Sequence, residues 1–444
     1  MKTKILVSIA ILSSLTAFSQ KEWTLKECVS HALANNTTIQ QNRLQVAIAE
    51  KEVAISKGNF LPSLNASSGG NFNFGSSIHP VTNDRVSTTT FGNSMNMNAG
   101  MVIFNGFQNV HRYDKSKIDA AGSKLDLKKI EDDIALNVVN YYLNVLFAKE
   151  NLKVAQVQYQ ISNQQIENAR LKFEGGVLPK GDLLNAQSKA ATDAQTLVLQ
   201  ENTLDLALLN LAQVLQVPTA NFQVAPLLVS VPTAVLLYNT AEEVYAKAVQ
   251  NRPEIQRAQL AIESADLSVK IAKGAYLPSV SASASAATNF GHSFDLLPGQ
   301  AGNVYFSKQL KDNLGYGAGV TINIPIFNRF QTKNSVAKSV IYREMSEISL
   351  TQQKLQLQQT IEQSFLDAKA AARTYETAKI SLSAQQEALK NAQERYNFGA
   401  MTLFDFENVR TRLVNAEAVL IRSKYDYVFK TKVLQFYFGE SILD

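Results

Sequence analysis

Most of this chain is written twice. The stretch Thr24-Leu-Lys-Glu-Cys-Val-Ser-His-Ala32 returns as Thr240-Ala-Glu-Glu-Val-Tyr-Ala-Lys-Ala248, and Lys57-Gly-Asn-Phe-Leu-Pro-Ser63 returns as Lys273-Gly-Ala-Tyr-Leu-Pro-Ser279, both at one and the same offset. Farther on, Ile103-Phe-Asn-Gly-Phe107 matches Ile326-Phe-Asn-Arg-Phe330, and Phe173-Glu-Gly-Gly176 with Asp182 matches Tyr396-Asn-Phe-Gly399 with Asp405, now at a second, slightly larger offset that these two matches share. One insertion between Ser279 and Ile326 accounts for the change. A duplication that keeps register over such a span constrains the fold more than any local motif, because the unit formed by the first half must be formed again. Residues 20–218 read as repeat 1, 219–239 as a linker and 240–444 as repeat 2.

Each repeat has the same order of periodicities. Residues 24–57 and 240–273 place apolar residues at helical spacing and stop at a Gly before a Leu-Pro pair, which predicts a helix in each. Long helices are expected over 106–172 and 329–397, and returning helices over 182–216 and 403–438. In the first long segment Leu127, Ile130, Ile134, Val138, Tyr141, Val145, Ala148, Leu152, Ala155 and Tyr159 step by three or four, a heptad seam. The second keeps it with smaller residues: Leu350, Leu357, Ile361, Ala368, Ala371, Tyr375, Ala378 and Leu382. Such a helix runs on the order of 100 Å at ~1.5 Å per residue. A coiled-coil rod or tube accommodates that length.

Between the helices, within 62–104 and 278–327, the period falls to two. Leu64, Ala66, Ser68, Gly70, Phe72 and Phe74 alternate with Asn and Ser, Met95, Met97, Ala99, Met101 and Ile103 with Asn96, Asn98 and Gly100, and Leu314 to Ile326 with Gly and Thr. One face is apolar and the other small or polar, the pattern of a membrane barrel strand, for which ~9–11 residues suffice. A soluble sheet with one solvated face alternates in the same way. Four strands are too few to close a water-filled barrel, so closure needs other subunits. The joining loops, Ile78 to Arg85 and His292 to Gln300, are polar. His79 and His292 read as solvated loop residues rather than a shared metal site.

The first residues, Met-Lys-Thr-Lys followed by the apolar run Ile5 to Leu12 and a Ser-rich end, read as a secretory signal peptide over 1–19. No later apolar run is long enough for a helical span. The one cysteine, Cys28, excludes an intrachain disulfide and Cys-based clusters. Lys26 and Glu27 before it argue against lipidation, leaving it as a small residue on an amphipathic helix. The net charge of +5 is too mild to argue for nucleic acid. Neither a phosphate-binding Gly loop, a Gly-x-Ser-x-Gly elbow nor a His-Glu-x-x-His occurs, so no enzyme, metal or cofactor is expected.

The ordered set of signal peptide, duplicated unit, two strands per unit, Leu-Pro-Ser, Ile-Phe-Asn and Gly-turn-Asp marks resembles the TolC-type outer-membrane efflux and secretion channels over essentially the whole mature chain. The fold class expected is mainly α with a small β part: long antiparallel coiled-coil helices in two repeats plus four membrane strands per chain. The resemblance implies a homotrimeric α-barrel/β-barrel tube in outer-membrane lipid. It also implies docking on a periplasmic adaptor and an inner-membrane transporter for efflux or type I secretion, and a conduit rather than a catalyst. A secreted coiled-coil structural or adhesive protein is the rival reading, and it leaves the strand pairs inside both heptad runs unexplained.

In such channels an acidic ring, braced by a tyrosine and a basic residue, narrows the inner end. Here Tyr396 and Asp405 match, while Asn408 stands at the second acidic place and Met401 at the basic one. A gate with a Met401 ring and an Asp405 ring is the expectation, and three facing carboxylates would attract cations. Thr402-x-x-Asp405 also fits a helix capping box. Gly175, Gly176, Asp182 and Gly399 mark the turns where an adaptor would dock. Met95, Met97 and Met101 read as lipid-facing rather than as soft-metal ligands. Phe104 and Phe327 are placed as membrane-interface aromatics.

Overall fold

The computed structural model describes residues 22–78, 83–226, 238–294 and 304–440. The signal segment 1–19 and His79 lie outside them. In chain order the elements are β1 (Glu22–Trp23), α1 (Leu25–Asn35), α2 (Thr37–Gly58), β2 (Ser63–Ile78), β3 (Arg85–Asn105), α3 (Gln108–Glu174), α4 (Lys180–Leu215), β4 (Gln223–Val224), α5 (Ala241–Asn251), α6 (Pro253–Gly274), β5 (Ser279–Ser293), α7 (Phe306–Asp312), β6 (Gly315–Asn323), α8 (Gln331–Asn397) and α9 (Leu403–Phe438). Apart from α7, which falls in the insertion of the second repeat, and the two-residue strands β1 and β4, the described elements of the two repeats correspond one to one.

The single helices expected over 24–57 and 240–273 are each two helices. The chain leaves the helical region at Asn36 (φ −60°, ψ 127°) and Arg252 (φ −72°, ψ 127°), which occupy equivalent places in the two repeats. Pro253 explains the second break, since the residue before a proline is pushed into the extended region. The first break is held by Asn36 itself. Its Oδ1 accepts from the Thr38 N–H at 2.9 Å, and its Nδ2 donates to the Val214 carbonyl at 3.1 Å. Thr24 caps α1 in a full capping box with Glu27, the same local signal that marks Thr240 and Glu243 at the start of α5.

The chain divides into two compact units that cut across the repeats. One is built from the described parts of Met1–Leu44, Leu125–Arg257 and Thr351–Asp444. Its core gathers Cys28, Val29 and Ala32 of α1, Val138, Val139, Tyr142, Val145 and Leu146 of α3, Leu211, Ala212 and Leu215 of α4, and Tyr425, Val428 and Phe436 of α9. Around 138–146 the buried surface of α3 therefore wraps beyond the single heptad stripe, because several elements pack there at once. The two-residue ladder of β1 with β4 ties the start of the described chain to the segment after α4. The Tyr142 hydroxyl, donor to the Ala225 carbonyl at 2.7 Å, braces it, as does Lys149 on the Val224 carbonyl at 2.7 Å.

The second unit, Gln45–Lys124 with Ala258–Leu350, carries an antiparallel sheet in the order β2-β3-β5-β6. Its registers restate the duplication in space. Ser63 lies opposite Gly100 in the first hairpin and Ser279 opposite Asn323 in the second, which is the same pair carried over by the two sequence offsets. The strand read as running from Leu314 to Ile326 ends at Asn323. His292 is a β5 residue opposite Phe91, not a loop residue as expected.

Candidate functional sites at the helical turns and on the sheet

The turns from α3 to α4 and from α8 to α9 are built alike. Gly176 (φ 74°) and Gly399 (φ 72°) take the left-handed conformation that glycine adopts without steric cost. Val177 N–H closes on the Lys172 carbonyl at 2.9 Å, and Ala400 N–H on the Arg395 carbonyl at 2.8 Å. Gly175 precedes the first of these glycines, with its N–H on the Leu171 carbonyl at 3.0 Å. Thr402 caps α9: its hydroxyl accepts from the Asp405 N–H at 3.1 Å and donates to Asp405 Oδ2 at 2.7 Å. Asp405 is thus a first-turn acid, and it remains exposed, as does Asn408. On α4 the corresponding cap is Pro179, without a side-chain bond, and Asp182 sits in the first turn.

Tyr396 and Met401 both pack against the small core of these turns, formed by Ala169, Ala186, Ala392, Leu403 and Phe406. The Tyr396 ring stacks on Phe406 at 5.2 Å and lies beneath Lys172 Nζ at 5.0 Å. Burial raises the Tyr396 phenol above its ordinary range, and the charges of Asp182 and Glu407 add to the rise. Met401, Thr402, Asp405 and Asn408 line one open cleft with Arg395 and Arg412. Those two arginines carry no mark in the repeat pattern. Phe398 and Phe404 stand exposed at the same turn, and Val177 at the other.

Deeper in this unit lies a charged cluster that sequence reading missed. Arg410, 3 % exposed, donates through Nη2 to Ser162 Oγ at 2.8 Å and to Asp193 Oδ2 at 3.2 Å. Ser162 in turn hydrogen-bonds Asp193, and Lys189 Nζ reaches Asp193 Oδ1 at 2.6 Å. Glu407 Oε2 is 3.0 Å from Arg410 Nη2. Burial pushes the Glu407 carboxyl above the usual carboxylate range, against the pull of Arg410 and Lys189. The signal was present: Arg410 follows Leu403 and Phe406 and precedes Leu413 at heptad spacing, Asp193 follows Ala186 and Ala190, and Ser162 stands midway between Ala155 and Ala169. A charge in an apolar stripe requires a buried partner.

On the sheet, register sorts every residue onto a face. Leu64, Ala66 and Ser68 of β2 lie opposite Ala99, Met97 and Met95 of β3, and these lie opposite Ala284, Ala286 and Thr288 of β5. Ala282, Ala284 and Ala286 continue to Val320, Ala318 and Tyr316 of β6. The reverse face reads Asn65, Ser67, Gly69, Asn71 and Asn73 on β2 and Asn98, Asn96 and Ser94 on β3. It ends in Ser281, Ser283 and Ser285 on β5 and Gly317, Gly319, Thr321 and Asn323 on β6. No charged residue stands on that face among the described residues.

Two aromatic groups border the apolar face. Toward the hairpin ends Phe72 meets Phe91 at 4.7 Å and Phe91 meets Phe290 at 6.2 Å. His292 contacts Phe294 at 4.8 Å within the same group. At the helix ends Phe104 meets Phe107 at 5.1 Å and Phe327 meets Phe330 at 5.5 Å, each pair perpendicular and one the repeat of the other. A bulge between Val102 and Phe104 sets Phe104 opposite Val280, which carries Phe104 onto the apolar side and leaves Ile103 unpaired. From Phe91 to Phe104 the strand rises about 43 Å at ~3.3 Å per residue. Met95, Met97 and Met101 fall between the two aromatic groups on the apolar face.

Among the described residues no helix is long and apolar enough to cross a membrane, and no group of three or more His, Cys, Asp or Glu residues is placed to hold a metal ion. The sequence pattern of the family described as outer membrane efflux protein matches this chain twice, over residues 28–216 and 244–440. The outer membrane efflux protein BepC of Brucella suis is 24% identical over 97% of this chain and 88% of its own length. The cation efflux system protein CusC of Escherichia coli O6:H1 is 22% identical over 90% and 82%. Of solved structures, the Campylobacter jejuni CmeC outer membrane channel superposes with a TM-score of 0.76 at 19% identity, covering 94% of this chain and 85% of that one.

Proposed function

We propose, starting from the fact that this chain belongs to the outer membrane efflux protein family, that it is one protomer of a homotrimeric, passive conduit spanning the outer membrane and extending into the periplasm. The observation that carries this is the two-faced sheet with two open edges. An apolar face bordered by aromatics suits lipid, an uncharged amide and hydroxyl face suits a water-filled lumen, and among the described residues neither β2 nor β6 has a partner on its outer side. An open edge inside a bilayer costs several kcal/mol for each unsatisfied backbone group, so the sheet must close, and three copies supply twelve strands.

In this reading Phe104 and Phe327 sit at the periplasmic interface, with Phe72, Phe91 and Phe290 at the outer one. The glycine turns at Gly175, Gly176 and Gly399, with Asp182 and the exposed Val177 and Phe398, form the surface that meets a periplasmic adaptor and through it an inner-membrane transporter. Asp405 and Asn408, three copies of each, narrow the lumen near the turns, with Tyr396 and Met401 holding that end through the packing described above. Energy and cargo selection belong to the transporter.

Native mass spectrometry on protein extracted by detergent from isolated outer membranes tests the reading. A detergent-dependent trimer is expected. A water-soluble monomer or dimer overturns it.

A further inference from the structure

We infer that α7 is a lipid-headgroup anchor: a short helix laid on the outer border of the sheet's apolar face, whose Lys308 and Lys311 hold the phosphate of a lipid in the outer leaflet. This rests on the conduit reading above and names the lipid class that the rim of the sheet selects.

The helix stands where the duplication predicts strand. In the second hairpin the ladder of β5 with β6 stops at Ala287 opposite Gly315. Its counterpart in the first hairpin, Asn71 opposite Gly92, is followed by further pairs out to Ile78 opposite Arg85. On its β3 side β5 stays paired as far as Ser293, opposite Thr90, so beyond Ala287 it has lost β6 on the other edge, and α7 covers that edge instead. The Gln309 carboxamide takes the part of a strand residue. Its Oε1 accepts from the Gly291 N–H at 2.9 Å, and its Nε2 donates to the Gly291 carbonyl at 2.8 Å. Asn313 Nδ2 donates to the Asn289 carbonyl at 2.8 Å. Backbone groups that an open edge would leave unpaired are satisfied in this way.

The helix also lies on the apolar side of the sheet. Its Phe306 ring meets Phe290 at 4.9 Å, and the Thr288 hydroxyl donates to the Leu310 carbonyl at 2.7 Å. Thr288 stands opposite Met95 and Phe290 opposite Asn93, in the register of the apolar face. Phe306, Gln309, Leu310 and Asn313, three and four apart, are therefore the side turned to β5. Lys308 and Lys311, also three apart, fall on the other side and are exposed. Tyr305 at the N-cap is 87% exposed.

A plain strand would have satisfied the same backbone groups without adding bulk on the lipid side, so the helix is there for its side chains. Phe306 and Tyr305 stand at the level of the outer aromatic group, where rings settle between hydrocarbon and water. The lysine stems lie along apolar surface while their ammonium groups reach the polar layer beyond. Two lysines against the single Asp312 leave α7 positive. Lysine binds phosphate as a point charge, and a headgroup that carries its own ammonium offsets that attraction. The charge therefore favours a lipid whose phosphates are unbalanced, and such a lipid is continuous with the hydrocarbon that the apolar face already meets.

The test is native mass spectrometry of the full-length protein, purified in detergent and freed of carried lipid. Diphosphorylated lipid A, the same lipid A stripped of its phosphates, or phosphatidylethanolamine is added at equal concentration. The parent is expected to retain the diphosphorylated lipid in preference to the other two. Lys308→Gln with Lys311→Gln should lower that retention roughly fivefold for each charge removed, whereas Lys308→Arg with Lys311→Arg, which keeps both charges, should keep the lipid. Equal retention of all three lipids shows apolar contact alone and overturns the phosphate site, as does equal retention by the parent and the glutamine variant. A glutamine variant that loses its trimer assigns the lysines to a neighbouring copy and also overturns the proposal. A trimeric parent that retains no lipid A overturns the proposal while the conduit stands, and a parent that forms no trimer overturns both.

Discussion

Arg410 shows what a single residue can decide in this chain. Its guanidinium stands where a leucine would continue the apolar stripe of α9, and Asp193 and Ser162 come from α4 and α3 to meet it. Removing the guanidinium takes the cation from Glu407 and leaves Asp193 with Lys189 alone, so Arg410→Ala is expected to lower stability by up to about 3–5 kcal/mol. Arg410→Met combined with Asp193→Leu should recover part of that loss, because an apolar contact replaces the pair while Glu407 and Lys189 still lose their partners. Denaturant midpoints of the detergent-solubilised protein measure both, and equal losses in the single and double variants would show that the cluster is not coupled. Asp405, by contrast, owes its place to a local rule: the Thr402 cap orients it whatever the rest of the chain does.

The same turn conformation recurs at element scale with different residues. Gly106-Phe107 and Arg329-Phe330 all lie in the left-handed region, at φ values of 65°, 62°, 56° and 62°, where the strands hand over to α3 and α8. A side chain there costs roughly 1–2 kcal/mol. At Gly106 it would also collide with the Gly274 carbonyl, so Gly106→Ala is expected to cost about 2–5 kcal/mol, the overpacking added to the backbone strain. Arg329→Gly relieves strain at an open position and should shift stability by less than about 1 kcal/mol, with the unfolded chain's gain in freedom offsetting it. Thermal midpoints compare the two, and similar losses would mean that the close approach at Gly106 carries no weight. The helix breaks at Asn36 and Arg252 belong to this scale too: Pro253 announced one, while Asn36 needed the Val214 carbonyl of another helix to show the other.

For the whole molecule the informative contrast is between an uncharged sheet face and a charged helical end. In the proposed conduit the face of Asn, Ser, Gly and Thr exerts no charge filter, and preference among ions falls to positions such as Asp405. In planar-bilayer recordings the parent channel should show a cation preference held down by Arg395 and Arg412, which line the same cleft as Asp405. Asp405→Ala should lower that preference, and Asn96→Asp, by adding a carboxylate to the polar face, should raise it. An unchanged reversal potential in both variants would remove these residues from the ion path.

The amino-acid sequence by itself determined the duplication, the order of elements, the two-residue alternation that separates the sheet faces, and the glycine turns with Asp182 and Asp405. Each of these follows from local rules: periodicity, capping, and the steric freedom of glycine at positive φ. Tertiary structure decided what those rules leave open. The bulge that turns Phe104 onto the apolar face, the pairing of His292 in β5 with Phe91 in β3, the meeting of Arg410 with Asp193 and Ser162, and the approach of Gly106 to Gly274 each join residues scores of positions apart. Their energies come from burial and registry between elements, and a pattern read along one element carries no record of which neighbour will cover it.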